Sequence, residues 1–461
     1  MPDRSRPSVH ASTGSSGPSP TPEDGDVRLA DWFRAHAHRL SSLDPGRGLD
    51  DLEPLREIVG DARVVAVGEG AHFVEEFSAA RRRVLRFLAE RCGFTVLAFE
   101  FGFSEGFALD PWLQGEGDEG ELAAVCPGSS VWLATDLLHW LRRHNRTSAN
   151  PLRFAGIDLP TAGGALRPAL EPVARSLREV DPEALPLLES VLEISDGFLG
   201  DAASGAAAAP AWAALGTAAQ DALTAGLARL LLRVRAAEPL HVACRGRRDF
   251  DVVRRGVEAA CHADHMFRAM NSLLSGRTSP MDLSVREIFM AESVRWHLER
   301  AAPHERVVVM AHNNHIQQTA VEFDGVLTAL PMGQHLRLAL GEDYRALALT
   351  HTDDHVPEMS VEAGGTEAGT DTDTGSGVGF TLVDTRLADP GSGSVEAALD
   401  GAGLGDAVTL TDLRRSPADA QGRPLLRRIR TQSAVQSLSV PEAFDAVLSV
   451  PTVTRDGAVP F

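Results

Sequence analysis

Two short apolar runs, one helix-length apart, constrain this chain more than any other feature. Arg63-Val-Val-Ala-Val-Gly68 is a continuous apolar run of strand length that stops at a glycine, and Phe94-Thr-Val-Leu-Ala-Phe-Glu100 is a second. Between them, Glu75 to Cys92 carries helical periodicity with arginine along one side. A strand with no polar alternation is covered on both faces. Strand, helix, strand at this spacing therefore predicts a βαβ unit within a parallel sheet. Arg153–Asp158, Arg306–Ala311 and Tyr344–Thr350 read as further strands. The expected fold class is α/β, a central, mostly parallel sheet with flanking helices.

The middle of the chain has another texture. From 166 to 300 strand signals are scarce, and Leu185–Phe198, Ala211–Ala237, Phe250–Leu274 and Arg286–Arg300 have helical periodicity. This stretch is expected to be a helical lobe inserted into the α/β core. The predicted organisation is then a Ser/Pro/Gly-rich disordered tail (1–26), a first part of the core (27–165) opening with an amphipathic helix within Val27–Leu43, and the lobe (166–300). A second part of the core (301–350), a flexible acidic loop without arginine (351–379) and a C-terminal part that completes the sheet (380–461) follow.

Charge and residue usage remove several functions. The 461 residues carry a formal net charge of -20, the wrong sign for neutralising phosphates, so no nucleic-acid partner is expected. All 44 basic residues are arginine, which excludes Schiff-base, pyridoxal-phosphate and P-loop lysines. Cys92, Cys126, Cys244 and Cys261 form no CxxC pair, so no zinc ribbon or redox dithiol is indicated, and so few cysteines suit a reducing compartment. No apolar stretch suits a signal peptide or a bilayer span. The expectation is a soluble, cytoplasmic protein with a small-molecule partner, no membrane partner and no cofactor; oligomeric state is not legible.

Polar residues gather where the strands end. The first run leads into Glu69 and His72, the second ends in Glu100, the third in Asp158, and the fourth in His312-Asn-Asn-His315. Ligands of open parallel sheets bind outside the carboxyl ends of the strands, so these residues are predicted to meet in one crevice. A histidine oriented by a carboxylate can take a proton from water, and a second histidine or an arginine such as Arg81 can stabilise an oxyanion. Two rival uses exist. His312 and His315, three apart, could join a carboxylate around a metal, although HExxH is absent. Gly102-Phe-Ser104-Glu-Gly106 matches G-x-S-x-G, but Ser104 falls four residues past Glu100 and His72 precedes it, so it reads as a decoy.

Those residues also carry a family resemblance. Val64-Val-Ala-Val-Gly-Glu69-Gly-Ala-His72, Glu76-Phe77, Arg81, Gly93-Phe94 and Glu100 resemble the opening of the erythromycin esterase family. Val307-Val-Val-Met-Ala-His312-Asn-Asn-His315 resembles its second signature, and Met332-Gly333, Leu336, Gly341 and Pro441-Glu-Ala-Phe444-Asp445 fit as well. The resemblance covers most of the chain after about Val27. It implies an α/β core with an inserted helical lobe, and hydrolysis of an ester, in the best-known members the macrolactone of erythromycin-type antibiotics. It implies His72 as the general base, a site lined by Glu69, Arg81, Glu100, His312 and His315, and no essential metal. Glu69 or Glu100 would orient the histidine, and Arg81 would pair with a glutamate or hold the oxyanion. The family often has glycine where this chain has Phe73, which predicts a reshaped cleft floor and a substrate contact there, with Asp158 as a second. Two other outcomes remain compatible: a biosynthetic tailoring enzyme using the same residues for cyclisation, elimination or acyl transfer, or a non-catalytic relative holding a metal or haem through His312 and His315.

Overall fold

The computed structural model describes residues 22–125, 135–200, 202, 204–277, 279–323, 325–360 and 381–457. Its centre is an eight-stranded sheet. The strands are β1 (His38–Arg39), β2 (Val64–Val67), β3 (Val96–Gly102), β4 (Arg153–Asp158), β5 (Val307–Met310), β6 (Tyr344–His351), β7 (Thr409–Asp412) and β8 (Ala446–Val450). Their spatial order is β1-β7-β8-β6-β2-β5-β3-β4. From β8 to β4 all neighbours are parallel; β7 runs antiparallel to both β8 and β1. The sheet is thus mostly parallel, and the α/β class read from the sequence is the class observed.

The strands are apolar throughout because both faces are covered. Val65, Val67, Leu97, Phe99, Val308 and Met310 pack into one buried cluster, while Val64, Ala66, Val96, Ala98, Val307 and Val309 pack into another. That division follows the two-residue period of a strand. Each fully buried valine or leucine contributes about 1.5–3 kcal/mol, so the sheet's centre is a rigid base for what its ends carry. The helix Glu75–Cys92 begins with two acidic residues, which complement the positive end of its dipole. It closes β2 to β3 and buries Phe77, Ala80, Val84, Leu85 and Leu88 on the first of these clusters.

The helices between Arg167 and Leu274 share a separate core built from Leu170, Val173, Leu188, Leu223, Leu227, Phe250 and Phe267, among others. The helix Pro280–Arg300 behaves differently. Its Met290, Ala291, Val294 and Leu298 pack onto the sheet rather than into that core, although the sequence groups it with the lobe. The stretch Ala211–Ala237 is not one helix: Gly205–Ala214 and Thr217–Ala236 are separated at Leu215-Gly216.

Several expected boundaries move. A helix, Pro22–His36, starts inside the predicted tail; residues 1–21 lie outside the described residues. The predicted loop from His351 is strand for much of its described part, because His355–Ser360 pairs antiparallel with Thr381–Arg386. Its residues 361–379 lie outside the described residues. Strand β3 does not end at Glu100 but runs to Gly102, with a register shift between Phe99 and Gly102.

Candidate active site

The turn after β2 is the first component. Gly68 must be glycine because a Cβ there would overlap the Asn313 side chain. Asn313 is buried and fixes the turn to its neighbours: its backbone N–H donates to the Glu69 carbonyl at 2.9 Å and its side-chain amide donates to the Leu349 carbonyl at 2.7 Å. The far end of the turn is tied to the C-terminal segment, where the Asp456 N–H donates to the Phe73 carbonyl at 2.8 Å and Glu75 N–H to the Thr454 carbonyl at 3.0 Å. Phe73 is held at φ 61, in the left-handed region that glycine enters freely and phenylalanine does not. That backbone explains why a glycine suits this position.

The turn carries a chain of three charged or ionisable groups. Arg81 is buried, stacks at 5.4 Å over the Phe99 ring and pairs with Glu69 Oε2. The other oxygen, Glu69 Oε1, lies 2.8 Å from His72 Nδ1. Burial pushes the Glu69 carboxyl up, but the Arg81 charge and then His72 outweigh it and hold it at about 2. Glu69 is therefore an anion throughout the neutral range. It fixes the His72 tautomer with the proton on Nδ1, which leaves Nε2 as the basic nitrogen.

His312 packs beside His72, ring centroid to ring centroid 4.8 Å. Its Nδ1 accepts from the Asn314 N–H at 3.1 Å, so the ring proton sits on Nε2, 3.3 Å from the Gly70 carbonyl. Burial first, and then the neighbouring His72 and His315, push this imidazole down to about 3, so it stays neutral. Its backbone N–H donates to Glu100 Oε2 at 2.9 Å.

His315 has the opposite environment. Its Nε2 lies 3.2 Å from Glu100 Oε1 and its Nδ1 lies 2.7 Å from Glu287 Oε1. Burial pulls this ring down, but Glu287 and then Glu100 push it up to about 10. Glu100 in turn is raised by burial yet held well below its ordinary value, first by His315 and then by Arg286. Arg286 donates to Glu100 at 2.9 Å and to both oxygens of Asp158, at 2.9 and 2.5 Å. Asp158 is 1 % exposed, and besides Arg286 it accepts the Leu159 N–H at 2.7 Å.

Glu69, His72, Arg81, Glu100, Asp158, His312 and His315 are thus brought together at the carboxyl ends of four parallel strands. Arg286, Glu287 and the hairpin tip at Thr431-Gln432 belong to the same constellation and escape the sequence reading. Gln432 donates its N–H to the Gly70 carbonyl at 2.6 Å, and Thr431 Oγ1 donates to Asn314 Oδ1 at 3.2 Å. The hairpin tip leaves no sequence signal. Glu287 does leave one: it falls on the apolar stripe of its own helix, in line with Met290, Ala291, Val294 and Leu298, and a charge on a core-facing stripe demands a buried partner.

Ser104 lies in the first turn of the helix Phe103–Leu113, and the histidines of the cluster face carboxylates, carbonyls and amides. The next residue of that motif, Glu105, is buried, and its Oε1 accepts the Thr161 N–H at 2.6 Å. Both ring nitrogens of His312 and of His315 are directed at protein groups. Among the described residues, one set of three side chains could hold a metal ion: Asp353, Asp354 and His355, with ligand atoms within 4.8 Å of one another. It follows the end of β6 and shares no residue with the cluster.

Comparison with known proteins bears on the same residues. The family model described as erythromycin esterase matches residues 89–453. Erythromycin esterase type II of Escherichia coli is 33% identical over 426 residues, covering 92% of this chain and 97% of the relative. Erythromycin esterase type I of Escherichia coli is 32% identical over 418 residues, covering 89% and 95%. A solved structure of a mutant of the erythromycin esterase EreC in its open conformation superposes with a TM-score of 0.82 at 31% identity, over 92% of this chain and 99% of that one. In the structure described here no helix is long and apolar enough to cross a membrane, among the described residues.

Proposed function

The chain belongs to the erythromycin esterase family of hydrolases, and from that membership and the geometry above we propose that it opens an ester or macrolactone of a bulky natural product by His72-activated attack of water. The relatives are named for erythromycin, so macrolides of that type are the first substrates to test. The observation that carries the reading is the Arg81–Glu69–His72 chain. An ionised Glu69, 2.8 Å from His72 Nδ1, makes Nε2 the base and stabilises the imidazolium that forms when it accepts a proton.

The reaction then runs in two proton transfers. His72 Nε2 takes a proton from water as the water oxygen attacks the carbonyl carbon. The tetrahedral oxyanion develops beside the cationic side of the cleft, where Arg286 and His315 stabilise it. As the carbon–oxygen bond to the leaving alcohol breaks, the imidazolium returns its proton to the alkoxide. The products are an acid and an alcohol, joined as one hydroxy acid when the substrate is a lactone. His312, neutral and 4.8 Å from His72, adds no positive charge against the developing imidazolium. No step calls for a metal. Asp158 we assign to holding Arg286 rather than to touching substrate, since its oxygens are turned to Arg286 and to the Leu159 N–H. Phe73, its ring 5.9 Å from that of His72, we assign to the substrate-facing floor.

The test is mass spectrometry of a panel of macrolides and simple lactones incubated with the protein. A product heavier by one water supports hydrolysis. A product lighter by one water, or of unchanged mass with altered retention, would replace hydrolysis with cyclisation or rearrangement.

A further inference from the structure

His312 and His315 sit in opposite electrostatic surroundings, one among neutral and cationic groups and the other between two carboxylates, and the Glu287 that faces His315 has no role in the reaction sequence above. We propose that Glu287 is a positioning residue that fixes His315 as a permanent imidazolium, so that the site keeps a built-in cation beside the His72 base. The proposal deepens the hydrolase reading and rests on it for its catalytic consequence, but not for the charge of His315.

A neutral imidazole has one donor and one acceptor nitrogen, so it cannot satisfy two carboxylates at once. His315 has Glu287 Oε1 at 2.7 Å from Nδ1 and Glu100 Oε1 at 3.2 Å from Nε2, an anionic oxygen beside each ring nitrogen, which favours a proton on both. The charged groups around it come from every packed element. Strand β3 supplies Glu100, the helix Pro280–Arg300 supplies Glu287 and Arg286, and its own segment supplies neutral His312. The end of β4 supplies Asp158, which reaches it through Arg286. Arg286 Nη1 lies 3.4 Å from His315 Nε2 and opposes the charge, but the same guanidinium is neutralised by Asp158. Glu100 is shared between His315 and Arg286, whereas Glu287 has no arginine partner and faces His315 alone among the cations described.

Glu287 is itself held in place. It is buried, and its second oxygen, Oε2, accepts the Met332 N–H at 3.0 Å, at the start of the helix Met332–Leu340. One turn earlier, Ser284 Oγ accepts the Leu330 N–H at 2.8 Å. Both bonds fasten the helix to the segment Leu330–Met332, and the one from Met332 holds the Glu287 carboxylate itself. A carboxylate that is immobile, dry and matched to one ring nitrogen fixes both the orientation and the charge of that ring.

The test is histidine NMR titration of the full-length protein, run beside the pH dependence of kcat and KM. In the wild type, His315 is expected to remain doubly protonated from pH 6 to about 9. In Glu287→Gln, an isosteric change that still offers an acceptor to Met332, its midpoint should fall to neutral or below. The same variant should gain an alkaline limb in kcat, with about a 10²-fold loss above the new midpoint and recovery toward acid, while KM changes little. Glu287→Asp should restore part of the range. Ser284→Ala cuts the neighbouring bond without touching His315 and should leave the titration as in the wild type. A wild-type His315 that loses a proton near neutral pH would overturn the proposal, and that measurement does not depend on any variant folding. An unchanged His315 midpoint in Glu287→Gln would overturn it as well. If the midpoint shifts as expected but the wild type turns over no ester, the charge assignment stands and the hydrolase reading fails.

Discussion

The two sides of the cleft are built by opposite strategies. The Arg81–Glu69–His72 side is local: one turn and the first half of the following helix supply all three groups. The Glu287–His315–Glu100–Arg286–Asp158 side draws on β3, β4, the helix Pro280–Arg300 and the segment after β5, regions 186 positions apart in the case of Arg286 and Glu100. The first side carries the group expected to change protonation during turnover. The second carries alternating charges that are expected to stay as they are. A reacting histidine needs access to water, and the His72 side chain is 19% exposed; on the other side the anchoring Asp158 is 1% exposed, while Arg286 reaches the cleft.

That difference predicts different failures. His72→Ala should lose about 10³-fold or more in kcat/KM with an unchanged unfolding midpoint, because the side chain is partly exposed and carries chemistry rather than packing. Ser104→Ala, measured beside it, should be nearly silent. Arg286→Met should lower activity and stability together. It strands Asp158 as a buried carboxylate and leaves Glu100 with His315 alone among cations, at a cost of about 3 kcal/mol, the low end of the range for a broken buried pair since part of the arginine reaches solvent. Chemical denaturation would measure it. The Arg286→Met deficit should be largest above about pH 5 and shrink in acid, since protonation of the stranded Asp158 relieves it.

The pH dependence of wild-type stability separates the two sides further. Glu69, held at about 2, contributes stability present above its unfolded pKa and lost as pH falls toward 2. His312, pushed down to about 3, penalises the fold as pH falls from about 6.5, because the unfolded chain binds a proton that the folded one refuses. His315, pushed up to about 10, contributes stability that is complete below about 6.5 and lost as pH rises toward 10. Urea unfolding across pH should therefore give a maximum near pH 6–7, and His315→Gln should flatten its alkaline limb. The smallest expected effect is at Phe73. Phe73→Gly relieves a left-handed backbone but frees the unfolded chain, so stability should change by no more than about 1 kcal/mol, while KM and substrate preference move.

The same contrast explains what could be read from the sequence. Strands β2 and β3 and the helix between them were legible because burial on both faces leaves an unbroken apolar run, and the residues that end those strands arrive at the site with them. Glu69, His72 and Arg81 come with that unit. Arg286 and Glu287 do not, because periodicity groups their helix with the lobe and does not say against which core a helix packs. Gln432 and Thr431 reach the site from a hairpin whose sequence carries no chemical signature. The composition of the segment from His351 suggests loop, yet pairing with Thr381–Arg386 makes part of it strand. Long-range pairing of that kind overrides local composition.

The central claim is that His72 delivers water to an acyl carbon, and heavy-oxygen water tests it most directly. A lactone opened by the wild type in such water should carry one heavy atom in the new carboxylate and none in the released hydroxyl. His72→Ala should slow that incorporation by about 10³-fold or more. Label in the hydroxyl, or incorporation that proceeds at the wild-type rate without His72, would contradict the account.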